Sequence, residues 1–264
     1  MSNGTAKTHI LVLPESSHCP TRTITDCEWK LKTFLERDAY APYDVAHAQK
    51  PPAGDRLEAR HRIAINDAMR ARSSIKAWEP FLEHPIPELS QVSRNLCLVH
   101  GDATEVEVAS AAVAEVVARI GSVRGLTDMA ATKMLYLLRP CFVAISDSYV
   151  RAGLGLHDGT PPGPGPSRAA FVRDRFIRVL KAMRALGQAN VSALRHLEAY
   201  VADLDTVKIA DDCQESTRRW RGCILPARLS PVRILDILLW TDGAIRGPVP
   251  DPKWRIWAHG REGK

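Results

Sequence analysis

Residues 120–147 read IGSVRGLTDMAATKMLYLLRPCFVAISD, and their spacing decides the fold. Upstream, Val106, Ala109, Val113, Val116, Val117 and Ile120 recur at helix spacing. Gly125 then breaks the pattern, and a glycine permits a tight backbone turn that a β-carbon would obstruct. Leu126 is placed to plug that turn into a core. Ala131 is small enough for two helices to approach closely, and Met134 resumes the apolar face. The stretch therefore predicts a helix, a hairpin and a second helix. The amides after Gly125 open the second helix, where N–H groups and partial positive charge can receive a phosphate. A loop containing Pro140 follows, then Asp147, placed to cap a helix that begins with Ser148, Tyr149 and Val150.

Helical signals extend on both sides. Thr25 and Glu28 have capping-box spacing ahead of Trp29, Leu31, Phe34 and Leu35. Pro42, Pro51, Pro52 and Gly54 break the chain over 41–55, and a second helical run spans 57–80. Thr104 and Glu107 predict a capping box for the helix that leads to Ile120. Residues 153–167, GLGLHDGTPPGPGPS, form a Gly/Pro loop, with Ser167 as the cap of a helix carrying Phe171, Phe176, Leu180 and Met183. Leu194, Leu197, Tyr200, Val201 and Leu204 mark another helix. Ser230 and Pro231 open a short apolar one, PVRILDILLW. Few runs alternate, so the fold reads as mostly α. The expected segments are an extension at 1–24, a helical subdomain at 25–100, the hairpin and Asp147 region at 101–152, the loop at 153–167, a second helical subdomain at 168–242 and an irregular tail at 243–264.

Among the 264 residues, 36 Lys and Arg against 30 Asp and Glu give a net charge of +6. That excess suits an anionic partner such as nucleic acid. The six cysteines contain no CxxC pair, which argues against a zinc ribbon or an iron–sulfur loop. Scattered thiols suggest a reducing compartment. The apolar run at 10–13, ended by Pro14, is too short for a signal segment or a membrane span. The expectation is a cytoplasmic protein. The nine histidines show no HExxH or ligand spacing, so no metal and no cofactor are expected.

The hairpin residues Ile120, Val123, Gly125, Leu126, Ala131 and Met134, with Asp147 lying 22 residues after Gly125, resemble the helix-hairpin-helix DNA glycosylases. The resemblance implies two helical subdomains with an active-site cleft between them, a monomer, and double-stranded DNA as partner. It places Gly125, Leu126, Thr127, Met129 and Lys133 against DNA and makes Asp147 the catalytic carboxylate. Such a carboxylate faces the N-glycosidic bond, stabilises oxocarbenium character at C1′ and orients or deprotonates water. Two positions depart from the family pattern. Thr127 stands where a second glycine is usual, and its hydroxyl offers a further bond to phosphate. Met129 stands where bifunctional members carry a lysine nucleophile, and methionine forms no Schiff base. The implied enzyme is therefore monofunctional and leaves an abasic site. Lys133 lies one turn along the same face as Met129, within reach of the phosphate backbone or the sugar.

Asn66 and Arg70, four residues apart on one helix face, together with Trp78 and Tyr149, form a candidate base pocket. The alternative is a solvated arginine-rich face with Trp78 in the core. Arg218, Arg219, Trp220 and Arg221 either clamp phosphates or form a surface turn. Asp236 lies amid apolar residues and needs a partner such as Arg233. The motif leaves the base open: a hypermodified cytosine in phage DNA, such as glucosylated hydroxymethylcytosine removed in antiviral defence, or an alkylated or oxidised base in DNA repair. A non-catalytic helix-hairpin-helix DNA-binding protein, and a helical protein unrelated to DNA, also remain open.

Overall fold

A computed structural model describes residues 11–13, 22–37, 54–58, 61, 73, 75–82, 84–156, 159, 162–204, 206–208, 224–226, 229–246 and 250–262. The described chain is mostly helical. In order come β1 (Leu11–Leu13), β2 (Arg22–Ile24), α1 (Cys27–Arg37), α2 (Ile75–Trp78), α3 (Ala103–Gly121), α4 (Asp128–Leu138) and α5 (Ser148–Gly153). These are followed by α6 (Pro166–Ala189), α7 (Val191–Asp203), β3 (Thr206–Lys208), β4 (Ile224–Pro226), α8 (Pro231–Arg246) and α9 (Pro252–Glu262). Among the described residues, no helix is long and apolar enough to cross a membrane.

The organising element is α8. It is buried without interruption from Pro231 to Asp242 and packs against α1, α5, α6, α7 and α9. Helices α3 and α6 pair along their lengths, and α4 folds back on α3 through the hairpin. The strands form two antiparallel pairs, β1 with β2 and β3 with β4. Asn190 ties β1 to the helices. Its side-chain oxygen accepts from the Val12 amide and its nitrogen donates to the Val12 carbonyl, both at 2.8 Å. Buried apolar residues form one cluster from Leu11 to Trp254, so the segments expected as an extension and a tail both contribute to it.

Several helix ends differ from expectation. Asp102, not Thr104, caps α3, accepting from the amides of Thr104 at 2.9 Å and Glu105 at 3.1 Å. An ionised carboxylate is a strong cap and also complements the helix dipole. Helix α6 opens at Pro166 after Gly165, placing Ser167 inside the first turn. Thr25 donates to Asp26 Oδ2 at 3.1 Å. The tail is not irregular: α8 continues to Arg246, and α9 buries Trp254 completely.

Arg139, at the end of α4, is 2% exposed. It donates to the carbonyls of Val92 at 2.8 Å and Leu89 at 2.6 Å and to Asp55 Oδ1 at 2.7 Å. One guanidinium thus holds two separate stretches, around Asp55 and at 89–92, on the helical core. Replacing a buried, fully bonded cation leaves its acceptors without partners. Arg139→Leu is expected to lose about 3–5 kcal/mol of stability, read by urea denaturation.

Candidate active site

The hairpin is built by two local bonds and two glycines. Val123 N donates to Ile120 O at 3.1 Å, Leu126 N to Val123 O at 3.1 Å, and Gly125 adopts φ 91°. Gly121 allows the close approach of α3 and α4: a β-carbon there would lie 3.1 Å from the Asp128 amide. Gly125 and Thr127 are exposed, whereas Leu126 is buried as a plug. The Thr127 hydroxyl caps α4 by accepting from Ala130 N at 3.1 Å, which accounts for threonine at this position. Asp128 begins α4 and is buried against Arg175 at 2.5 Å and Arg151 at 3.8 Å.

Asp147 is held from both sides. Thr132 on α4 accepts from the Ser146 amide at 3.1 Å, and Arg151 on α5 donates to the Ser146 carbonyl at 2.7 Å. The residue preceding the carboxylate is thus fixed at both its amide and its carbonyl. Asp147 then caps α5, with Oδ1 accepting from Tyr149 N at 2.7 Å.

Asp147 lines a small cavity of about 20 Å³ with Lys133, Asp236 and Arg233, roofed in part by Phe34 and Trp240. Such a volume has room for roughly one water molecule. Four charged groups from three elements meet there: Lys133 from α4, Asp147 from the cap of α5, and Arg233 and Asp236 from α8. Arg233 forms a close ion pair with Asp236, and its guanidinium lies over the rings of Phe34 at 5.3 Å and Tyr136 at 5.5 Å. Burial pulls the Lys133 amine down to about 8. Asp147 and Asp236 oppose that shift, and Arg233 adds to it. Burial raises the Tyr149 hydroxyl, with smaller contributions from Asp251 and Asp147.

The structure joins Asp147 to Lys133: of the two placements the sequence left open for the lysine, it is 3% exposed and lines the pocket. Met129 is half-buried. Tyr149 packs its ring edge-on to Trp240 at 5.9 Å, and Gly243 makes room for it. Trp78 is corrected as a base-stacking residue: it is fully buried, and its indole N–H donates to Ser73 Oγ at 2.6 Å. Asn66, Arg70 and the 218–221 run lie outside the described residues. Sequence reasoning saw Asp236 and Arg233 as a pair but not as pocket walls. The signal was present, because an acid inside an apolar run marks a buried charge that must face something polar.

The depressed Lys133 ionisation has a thermodynamic sign. The folded amine releases its proton near 8, whereas an ordinary lysine does so at 10.5. Its penalty on the fold is complete below about pH 8 and vanishes as pH rises past 10.5. Lys133→Met is expected to gain stability relative to wild type at pH 7, with the gain shrinking between pH 8 and 10.5. Paired thermal melts across that range check this.

No family model, curated protein or solved structure matches the chain.

Proposed function

We propose that the chain is a monofunctional DNA glycosylase that flips a modified base from double-stranded DNA, hydrolyses its N-glycosidic bond and leaves an abasic site. The observation that best supports this is Asp147 and Lys133 lining one pocket behind an exposed glycine hairpin. The backbone around Gly125 and Thr127 receives a phosphate at the N-terminus of α4. Asp147 supplies the anion beside C1′ and takes the proton of the attacking water. The net positive charge assists approach to DNA and makes binding weaken steeply with salt. A hypermodified cytosine in phage DNA is the first substrate to test, and alkylated or oxidised bases are the second class.

One observation favours a different reading. A cavity of about 20 Å³ is far smaller than a nucleobase, so a base enters only if Phe34 on α1 and Trp240 on α8 move apart. A protein that held DNA through the hairpin alone, without catalysis, would need no such opening.

Base release decides between the two. Wild-type protein is incubated with phage DNAs carrying modified cytosines, with damaged DNA and with unmodified DNA, and products are read by mass spectrometry and abasic-site labelling. Release from one substrate, abolished in Asp147→Asn with salt-dependent binding retained, is the expected result. Binding without release from any substrate would establish the DNA-binding module instead.

A further inference from the structure

The pocket holds more charge than a single catalytic carboxylate requires. Lys133 shares the cavity with Asp147 and Asp236, whose charges both act on it, and Arg233 completes the set. The remaining walls, Phe34, Ile145, Ile237 and Trp240, carry no titratable group. Resting on the glycosylase reading, we propose that Lys133 is the general acid of this pocket, giving its proton to the departing base while the Arg233–Asp236 pair positions it. The substrate class is then an uncharged base that leaves poorly as an anion, not an alkylated base that is already cationic.

The chemistry balances with the groups in place. As the bond from C1′ to the base nitrogen breaks, its electron pair goes to the base. The base takes a proton from Lys133 Nζ and departs neutral. Water forms the new C1′–O bond and gives its proton to Asp147. Proton return from Asp147 to Lys133 through the pocket resets the site. An acid works best when its ionisation lies near the working pH, and burial brings this amine to about 8. Asp147 Oδ1 is engaged by the Tyr149 amide, so its second oxygen serves the water.

The same reasoning selects the base. An N7-alkylated guanine carries its positive charge before cleavage and leaves neutral without an acid. A buried ammonium beside it would repel it and contribute nothing. A cytosine derivative has no such charge and needs the proton. Asp236 is assigned as a positioning residue: it acts on Lys133 and does not touch the reacting atoms.

Two measurements test this. In the first, base release is followed from phage DNA carrying glucosylated hydroxymethylcytosine and from duplex DNA carrying N7-methylguanine. Wild type should release the cytosine derivative and spare the methylguanine. Lys133→Met should slow release by about 100-fold or more and remove the alkaline limb of the pH–rate profile near pH 8. Asp236→Asn should shift that limb to lower pH. Faster release of methylguanine, an unchanged limb in Lys133→Met, or a borohydride-trapped Lys133–DNA adduct would each overturn the acid assignment while leaving the glycosylase reading intact. Release from neither DNA would overturn the acid assignment, and the glycosylase reading falls with it only when the wider panel of modified and damaged DNAs also shows no release. In the second, the Lys133 Nζ resonance, identified by its loss in Lys133→Met, is titrated in lysine-labelled protein without substrate. A midpoint near 8 that falls in Asp236→Asn supports the assignment, and a midpoint at the ordinary lysine value overturns it whatever the substrate proves to be.

Discussion

Burying charge inside a helix whose first three turns have no solvent face is the constraint on which this structure depends. Helix α8 carries Arg233, Asp236 and Asp242 among buried, mostly apolar side chains, and an uncompensated charge there costs several kcal/mol. Arg233 and Asp236 neutralise each other one turn apart. Asp242 reaches outward, to Lys30 on α1 at 2.8 Å and to Arg246 at 2.9 Å. Burial lowers the Lys30 ionisation and Asp242 partly restores it, so lysine and aspartate are mutually dependent. That pair fixes α1 against α8 and thereby sets Phe34 edge-on to Trp240 at 6.3 Å, the contact that covers the pocket.

The pocket follows from a second requirement, that a loop carrying a carboxylate be held at a defined depth. Thr132, Lys133 and Asp128 lie within two turns of α4. Asp128 anchors the start of the helix to Arg175 and Arg151, Thr132 holds the Ser146 amide, and Arg151 holds the Ser146 carbonyl. The hairpin end and the Asp147 loop are thus joined through α4 by a continuous set of ion pairs and hydrogen bonds.

What the sequence made legible was local. The glycine at 125 and the proline at 231 act within a few residues of themselves, as do the apolar spacing of α3 and the capping role of Asp147. Hence the hairpin, the mostly helical character and the position of the acid could be anticipated. What escaped depends on partners distant in the chain. Whether Lys133 faces outward or inward is decided by α8, a hundred residues further on. Trp78, open in the sequence between a base pocket and the core, is placed in the core, with its indole N–H on Ser73. Helix α9 has a weak apolar stripe, with Trp254 its one fully buried side chain among the described residues, so periodicity could not reveal it. The strands span three residues each, too few for alternation to register.

The aromatic packing behind the pocket gives the site an optical signature of its own. Trp240 borders the cavity and meets Tyr149, Phe34 and Trp254 edge to face, and Trp254 in turn meets Trp29 at 6.1 Å and Trp257 at 5.3 Å. Rings held this closely in fixed orientations share excitation and produce strong near-ultraviolet dichroism, and the spectrum is sensitive to small rotations of any one of them. Because Trp240 is both a wall of the cavity and a hub of this array, the unlabelled protein carries a built-in chromophore that reports on whether the site is shut.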